Sequence, residues 1–291
     1  MSILLTGFAD EISPDFETQL QVCEATGFGA IEIRGVNGRG IQTYAPDEAL
    51  ALQARLAGRG MRVSAIGSPV GKIRIDEDFE PHFEMFKNVA ALCGVFGTRR
   101  IRMFSFFVPA GEADRWEDEV MRRMERLVEY AAAHDLVLLH ENEKDIYGDT
   151  APRCLNLMRR FYGDHFKAVF DFANFIQVGQ RTPEAFEMLK DYVSYVHVKD
   201  ALFDGGRVTP AGWGEGHVSE ILGKLKAAGY DGYLSLEPHL TDFNGLANLE
   251  KGGRAEKWSI DGESAWRIAA DALKGILWEL NWPQRAEEAA V

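Results

Sequence analysis

The sequence predicts a (β/α)₈ TIM barrel. Three observations carry that reading: the chain length, a count of eight short β-rich runs each followed by a helical pattern, and the apolar character of several of those runs. The chain has 291 residues, close to the roughly 250 typical of such a barrel. Parallel strands covered by helices on both faces read as nearly continuous apolar stretches rather than as alternations. A doubly wound sheet would use fewer βα units and a Gly-rich phosphate turn after the first strand. Thr6-Gly7-Phe8-Ala9 is not such a turn.

Strands are expected at 3–8, 30–33, 62–66, 100–104, 137–139, 168–170, 193–198 and 233–236. Helices are expected between and after them, at 14–26, 46–60, 79–96, 114–134, 152–162, 183–191, 218–228 and 263–280. Ser13 is read as the cap of the first helix, with Pro14 at its first helical position. Gly27-Phe28-Gly29, Gly60, Gly97 and Gly229 close helices just ahead of the next strand. No linker divides the chain, so 1–291 reads as one domain with a core of about 3–280 and a polar tail at 284–291. The one long irregular stretch, 242–261, is rich in Gly, Asn and charge. Its place between the last strand and the last helix suggests a lid or an oligomer contact.

Composition narrows the partners. With 46% hydrophobic residues the chain can build a sizeable core. A net charge of −13 repels a phosphate backbone, and the longest basic runs, Arg122-Arg123 and Arg159-Arg160, sit in helical patterns, so no nucleic acid partner is expected. Cys23, Cys93 and Cys154 are far apart, odd in number and inside helix-like segments, which predicts free buried thiols rather than a disulfide framework. The N-terminal apolar run is short and lacks a preceding basic region, so it reads as a strand and not a signal peptide. No run approaches 18 apolar residues. No membrane partner is expected, and a cytoplasmic location follows.

In a (β/α)₈ barrel the active site lies at the C-terminal ends of the strands. The fifth strand ends at Glu141, the sixth at Asp171, the seventh at His197 and the eighth at Glu237, spaced 30, 26 and 40 residues apart. Each interval is one βα unit, the last with an added loop. Charged groups that end apolar strands are costly unless paired or metal-bound, and three converging acids repel one another unless a cation joins them. Three carboxylates and one imidazole suit Mn²⁺ best, with Co²⁺, Mg²⁺ or Zn²⁺ also compatible, and the absence of thiolates argues against structural zinc. A cation on vicinal substrate oxygens favours an enediolate. Glu141 and Glu237, three strands apart, are placed to remove and return the proton.

Other residues are candidates by position. Lys199 lies two residues after His197 and shares its face of the strand. Lys72, in Ser68-Pro69-Val70-Gly71-Lys72 after the third strand, is a candidate over the site. Arg34 and Arg102 lie near the ends of strands two and four, facing either the barrel or the helices. His140 is expected to turn away from the barrel axis, and His239, His217, Trp213 and Phe106-Phe107 lie on rim loops.

The motifs Glu141-Asn142, Asp171-x-x-Asn174, His197-x-Lys199-Asp200 and Glu237-Pro238-His239 together resemble the xylose isomerase-like sugar phosphate isomerase/epimerase superfamily. The resemblance runs from Gly7-Phe8-Ala9-Asp10-Glu11 to about His239. It implies a metal-dependent isomerase or epimerase of a small-molecule sugar or keto-polyol, with Glu141 and Glu237 as both metal ligands and acid/base groups and Asp171 and His197 as the remaining ligands. The loop 199–216 is similar to the family's closing loop, which implies a substrate contact for Arg207. Glu143 and Asn174 stand where family members often carry histidines that contact substrate, which implies a different sugar or a keto-polyol. A related metal-dependent lyase or dehydratase begins with the same proton abstraction and is the alternative. An AP endonuclease-type nuclease would need a trinuclear zinc site with more rim histidines, and both Asn174 and the acidic charge disfavour it. By analogy with such barrels a homo-oligomer is plausible.

Overall fold

The computed structural model describes residues 2–243 and 257–284. Eight parallel strands form the barrel: β1 (Leu4–Gly7), β2 (Ala30–Ile33), β3 (Arg62–Gly67), β4 (Arg100–Met103), β5 (Val137–Glu141), β6 (Phe166–Asp171), β7 (Val193–Val198) and β8 (Tyr233–Leu236). They hydrogen-bond in the order β1-β8-β7-β6-β5-β4-β3-β2, and β1 lies beside β2 to complete a nearly closed cylinder. The fold is the (β/α)₈ barrel expected from the strand count.

The helices are α1 (Phe16–Ala25), α2 (Pro46–Gly58), α3 (Glu80–Phe96), α4 (Ala113–Ala133), α5 (Ala151–Phe161), α6 (Phe172–Gln177), α7 (Thr182–Leu189), α8 (Val218–Ala227) and α9 (Gly262–Glu279). The first begins two residues later than expected. Asp15, not Ser13, caps it, accepting from the Thr18 backbone N–H at 2.8 Å. Helix α6 was not anticipated, because its apolar sequence directly continues that of β6. It starts where the Asp171 carboxylate accepts the Asn174 N–H at 2.9 Å. Two small antiparallel pairs also escape the βα pattern, Gly35–Val36 with Arg39–Gly40 and Asp200–Ala201 with Val208–Thr209. The cysteines are free and buried, as expected.

The core outside the cylinder is apolar, whereas the interior becomes polar toward the strand ends. Ala65, Leu139, Val169 and Tyr195 form an apolar layer inside. The Tyr195 hydroxyl then joins Ser64 at 2.9 Å, and Ser64 joins Thr6 at 2.7 Å. Gly7 marks a close helix–strand approach: a Cβ there would lie 2.6 Å from the Trp266 ring of α9 and 2.7 Å from the Leu236 carbonyl oxygen. No helix among the described residues is long and apolar enough to cross a membrane. Most of the irregular stretch at 242–261 and nearly all of the polar tail lie outside the described residues.

Candidate metal centre

Strands β5 to β8 deliver one residue each to a common point. Glu141 and Asp171 end their strands, His197 is the penultimate residue of β7, and Glu237 directly follows β8. The β6–β7 ladder sets Asp171 beside His197, and the β7–β8 ladder sets His197 beside Ser235, two residues before Glu237. Alternation then turns all four side chains inward. Each is at least 97% buried, and each offers a ligand atom within 4.8 Å of the others. His197 Nδ1 lies 3.1 Å from Glu141 Oε1, 3.4 Å from Glu237 Oε2 and 3.9 Å from Asp171 Oδ2.

Three atoms of this cluster, Glu141 Oε2, Asp171 Oδ2 and His197 Nδ1, are buried and make no hydrogen bond of good geometry, although charged groups lie near each. Each such atom costs about 1–3 kcal/mol if left unsatisfied. A divalent cation among them would satisfy all three and offset the repulsion between the carboxylates. The oxygen-rich donor set with one imidazole fits such an ion.

The surrounding residues hold these side chains in place. Lys199 Nζ lies 3.0 Å from Asp171 Oδ2 and 2.8 Å from Glu237 Oε2. Asn174 donates from its amide to Glu141 Oε1 at 3.1 Å and to the Asn142 carbonyl at 2.9 Å. Asn142 in turn exchanges two 3.0 Å bonds with the backbone of Asp171. Arg102 Nε lies 3.4 Å from Glu141 Oε2. Arg34 reaches across from the end of β2, with Nη1 3.0 Å from Glu237 Oε1, Nη2 2.9 Å from Glu11 Oε1, and two 3.0 Å bonds to Asp10. Its guanidinium lies between the Phe8 and Phe243 rings, 4.1 and 4.7 Å from their centroids. Glu11, Glu237 and His239 make a second convergent group, but Arg34 already supplies its cation.

Electrostatics follow from burial and the shortage of cations. Burial pushes the Asp171 carboxyl well above its usual range, against the pull of Lys199 and with Glu141 and Glu237 adding to the rise. Burial acts the same way on Glu141 and Glu237, but neighbouring cations outweigh it. His197 brings Glu141 down to about 2, and Lys199 holds Glu237 well below the ordinary value. Burial opposes charge on His197, yet Glu141 and Glu32 draw its imidazole well up. His239 is held well down by burial and by Lys199.

The remaining candidates divide. Lys72 Nζ pairs with Glu143 Oε2 at 3.0 Å and sits 4.4 Å over the Phe104 ring, so two candidates from different strands meet. Asn174 is bound into the cluster through its amide. Arg207 is exposed on the loop after β7, in the turn that joins Asp200–Ala201 to Val208–Thr209. His217 is exposed and pairs with Glu220 at 3.2 Å. His140 is buried and bonds Ser105 at 3.0 Å. Trp213 is exposed and lies 6.2 Å from Trp258, ring to ring. Asp10, Glu11 and Glu32 were missed as partners. The signal for Glu32 was a single acid inside the apolar run Ala30-Ile31-Glu32-Ile33.

The model of the xylose isomerase-like TIM barrel family matches residues 20–274, and the chain belongs to that family. The 3-dehydroshikimate dehydratase of Bacillus anthracis is 23% identical over 186 residues, covering 64% of this chain and 66% of that protein. The chain thus spans just under two thirds of that relative's length. Among solved structures, the probable 3-DHS dehydratase involved in petrobactin synthesis in Bacillus anthracis superposes with a TM-score of 0.71 at 19% identity, covering 94% of this chain and 99% of that one. An L-ribulose 3-epimerase gives 0.72 at 19% identity, covering 96% and 95%. The IOLI protein with a bound zinc atom gives 0.72 at 17% identity, covering 96% and 99%. At these identities the structural likeness shows the shared barrel, while the named relatives include an epimerase and a dehydratase.

Proposed function

We propose that the chain is a divalent-metal-dependent isomerase or epimerase of a sugar or keto-polyol. Glu141, Asp171, His197 and Glu237 hold the ion, and Glu141 and Glu237 move the proton. The observation that carries this reading is the convergence, from three consecutive strands, of three buried atoms that make no hydrogen bond of good geometry, with Glu237 beside them. Manganese is the ion we assign, from the three carboxylates and one imidazole; the zinc of the IOLI protein is a related choice for an oxygen- and nitrogen-donor site.

A divalent ion held by these four residues would polarise a substrate carbonyl and so acidify the C–H of the adjacent hydroxyl-bearing carbon. The chain's own groups do the rest. Asn174 and Arg102 hold the Glu141 carboxylate on one side, and Arg34 and Lys199 hold Glu237 on the other. One glutamate accepts the proton from one face of the substrate carbon, and the other returns a proton from the opposite face or to the adjacent carbon. The Lys199 ammonium, beside both Asp171 and Glu237, offers a donor to a substrate oxygen. The Lys72–Glu143 pair offers a donor and an acceptor to hydroxyls further along the substrate. Arg207 is assigned an outer contact from its loop.

A lyase or dehydratase is the second reading, favoured by the similarity to the 3-dehydroshikimate dehydratase, since proton abstraction beside a carbonyl begins both reactions. The test is ¹H NMR in D₂O of manganese-loaded protein with ketoses, aldoses and keto-polyols, beside a chelator-treated control. Metal-dependent deuterium incorporation next to a carbonyl is expected. Loss of a hydroxyl from the product would select the lyase, and absence of exchange across the panel would overturn the proposal.

A further inference from the structure

We infer that Glu32 is a positioning residue for the metal centre, fixing which nitrogen of His197 faces the ion. The inference rests on the metal reading above. Glu32 lies within β2, across the barrel from β7, and is 1% exposed. An ionised carboxylate there is costly unless several donors meet it. Two do: the Ser235 hydroxyl donates to Glu32 Oε2 at 2.6 Å and His197 Nε2 lies 3.1 Å from the same oxygen, while the Arg102 charge stands near Oε1, with Nε 3.9 Å away and beyond hydrogen-bond distance.

This arrangement settles the roles of the two ring nitrogens. With Oε2 as a carboxylate acceptor, Nε2 must carry its hydrogen. Nδ1, which points to Glu141, Asp171 and Glu237, is then the nitrogen that an ion would bind, displacing any proton it carries. A metal-bound histidine whose other N–H meets a carboxylate is fixed in ring orientation and made more basic. The Phe8 ring packs edge-on to the imidazole with centroids 5.1 Å apart and limits its rotation from the side. Ser235 fixes the Glu32 oxygen, and because Ser235 precedes Glu237 by two residues on β8, the same strand positions a ligand and the support of its neighbour. Arg102 extends the connection, standing between Glu32 and the ligand Glu141.

Two variants of the full chain test this, Glu32→Leu and Ser235→Ala, each checked for folding by thermal melting. Zinc and manganese affinities are measured by calorimetry, and the ring N–H proton of His197 is sought in the downfield ¹H spectrum of ¹⁵N-histidine-labelled protein. The wild type should show a slowly exchanging Nε2–H signal that disappears in Glu32→Leu. Metal affinity should fall about 10–100-fold in Glu32→Leu, and by less in Ser235→Ala, which keeps the carboxylate. A folded Glu32→Leu protein that binds metal within twofold of wild type, or an Nδ1–H signal in the zinc-loaded wild type, would overturn the inference. If the wild type takes up no ion, the metal reading fails by itself, and a Glu32-dependent Nε2–H signal would still support the pairing.

Discussion

Replacing Arg34 by Met tests whether the rim depends on one buried cation. The guanidinium of Arg34 is paired with Asp10, Glu11 and Glu237, and all four side chains are at most 9% exposed. Met retains the length of the stem and its contact with the Phe8 and Phe243 rings, so the change removes mainly the charge and its hydrogen bonds. Losing one partner of a buried ion pair costs about 3–5 kcal/mol, because the remaining charge stays uncompensated. For an unfolding entropy of roughly 2.1 cal/mol/K per residue, a chain of this length changes stability by about 0.6 kcal/mol per degree, so Tm should fall by about 5–8 °C. Arg34→Lys should fall between, since it keeps a charge and loses the two-point contact with Asp10. The assay is urea unfolding followed by far-ultraviolet circular dichroism, with metal concentration and pH held constant. A loss below about 1 kcal/mol in Arg34→Met would refute the reasoning, because it would mean that the three carboxylates do not depend on Arg34.

Other predictions concern the site and its supporting loops. Glu237→Gln should keep the circular dichroism spectrum and slow deuterium exchange by about 10²–10⁴-fold; exchange at the wild-type rate would remove Glu237 from acid/base work. Asp171→Ala should lower bound metal by elemental analysis well below one ion per chain, and unchanged content would take it off the ligand set. Asp200 accepts backbone N–H groups from Ala201, Gly212, Gly214 and Gly216. Asp200→Asn points an amide donor at two of them, so it should cost about 2–5 kcal/mol and raise hydrogen exchange in the loop after β7; unaltered exchange there would contradict that anchoring role. His82 accepts the Gly71 N–H at 2.7 Å, and burial, with Arg123 adding, holds its imidazole down to about 4. Its folded value lies below that of the unfolded chain, so its contribution is complete above pH 6.5 and lost as pH falls through 4. The loss is at most about 3 kcal/mol, and an identical stability slope over that range in His82→Gln would exclude it.

The sequence alone determined the strand count, the barrel class and the four residues at the ends of strands five to eight, because each is a local feature: a short apolar run, a helical period, a charged residue closing a strand. It also placed Lys199 beside His197, since residues two apart on a strand share a face. The start of α1 shifted from Ser13 to Asp15, because either side chain can cap a helix and only the backbone geometry shows which one does. The tertiary structure decided everything that depends on closing the cylinder. Glu32 meets His197, 165 positions away, and Ser235, 203 away. Arg34 meets Glu237 across the β1–β2 side of the barrel, and Lys72, after β3, finds Glu143, after β5. No sequence period encodes such meetings. They arise because eight twisted strands bring their interior faces to one axis, where buried charges persist only beside partners that the chain supplies from distant positions.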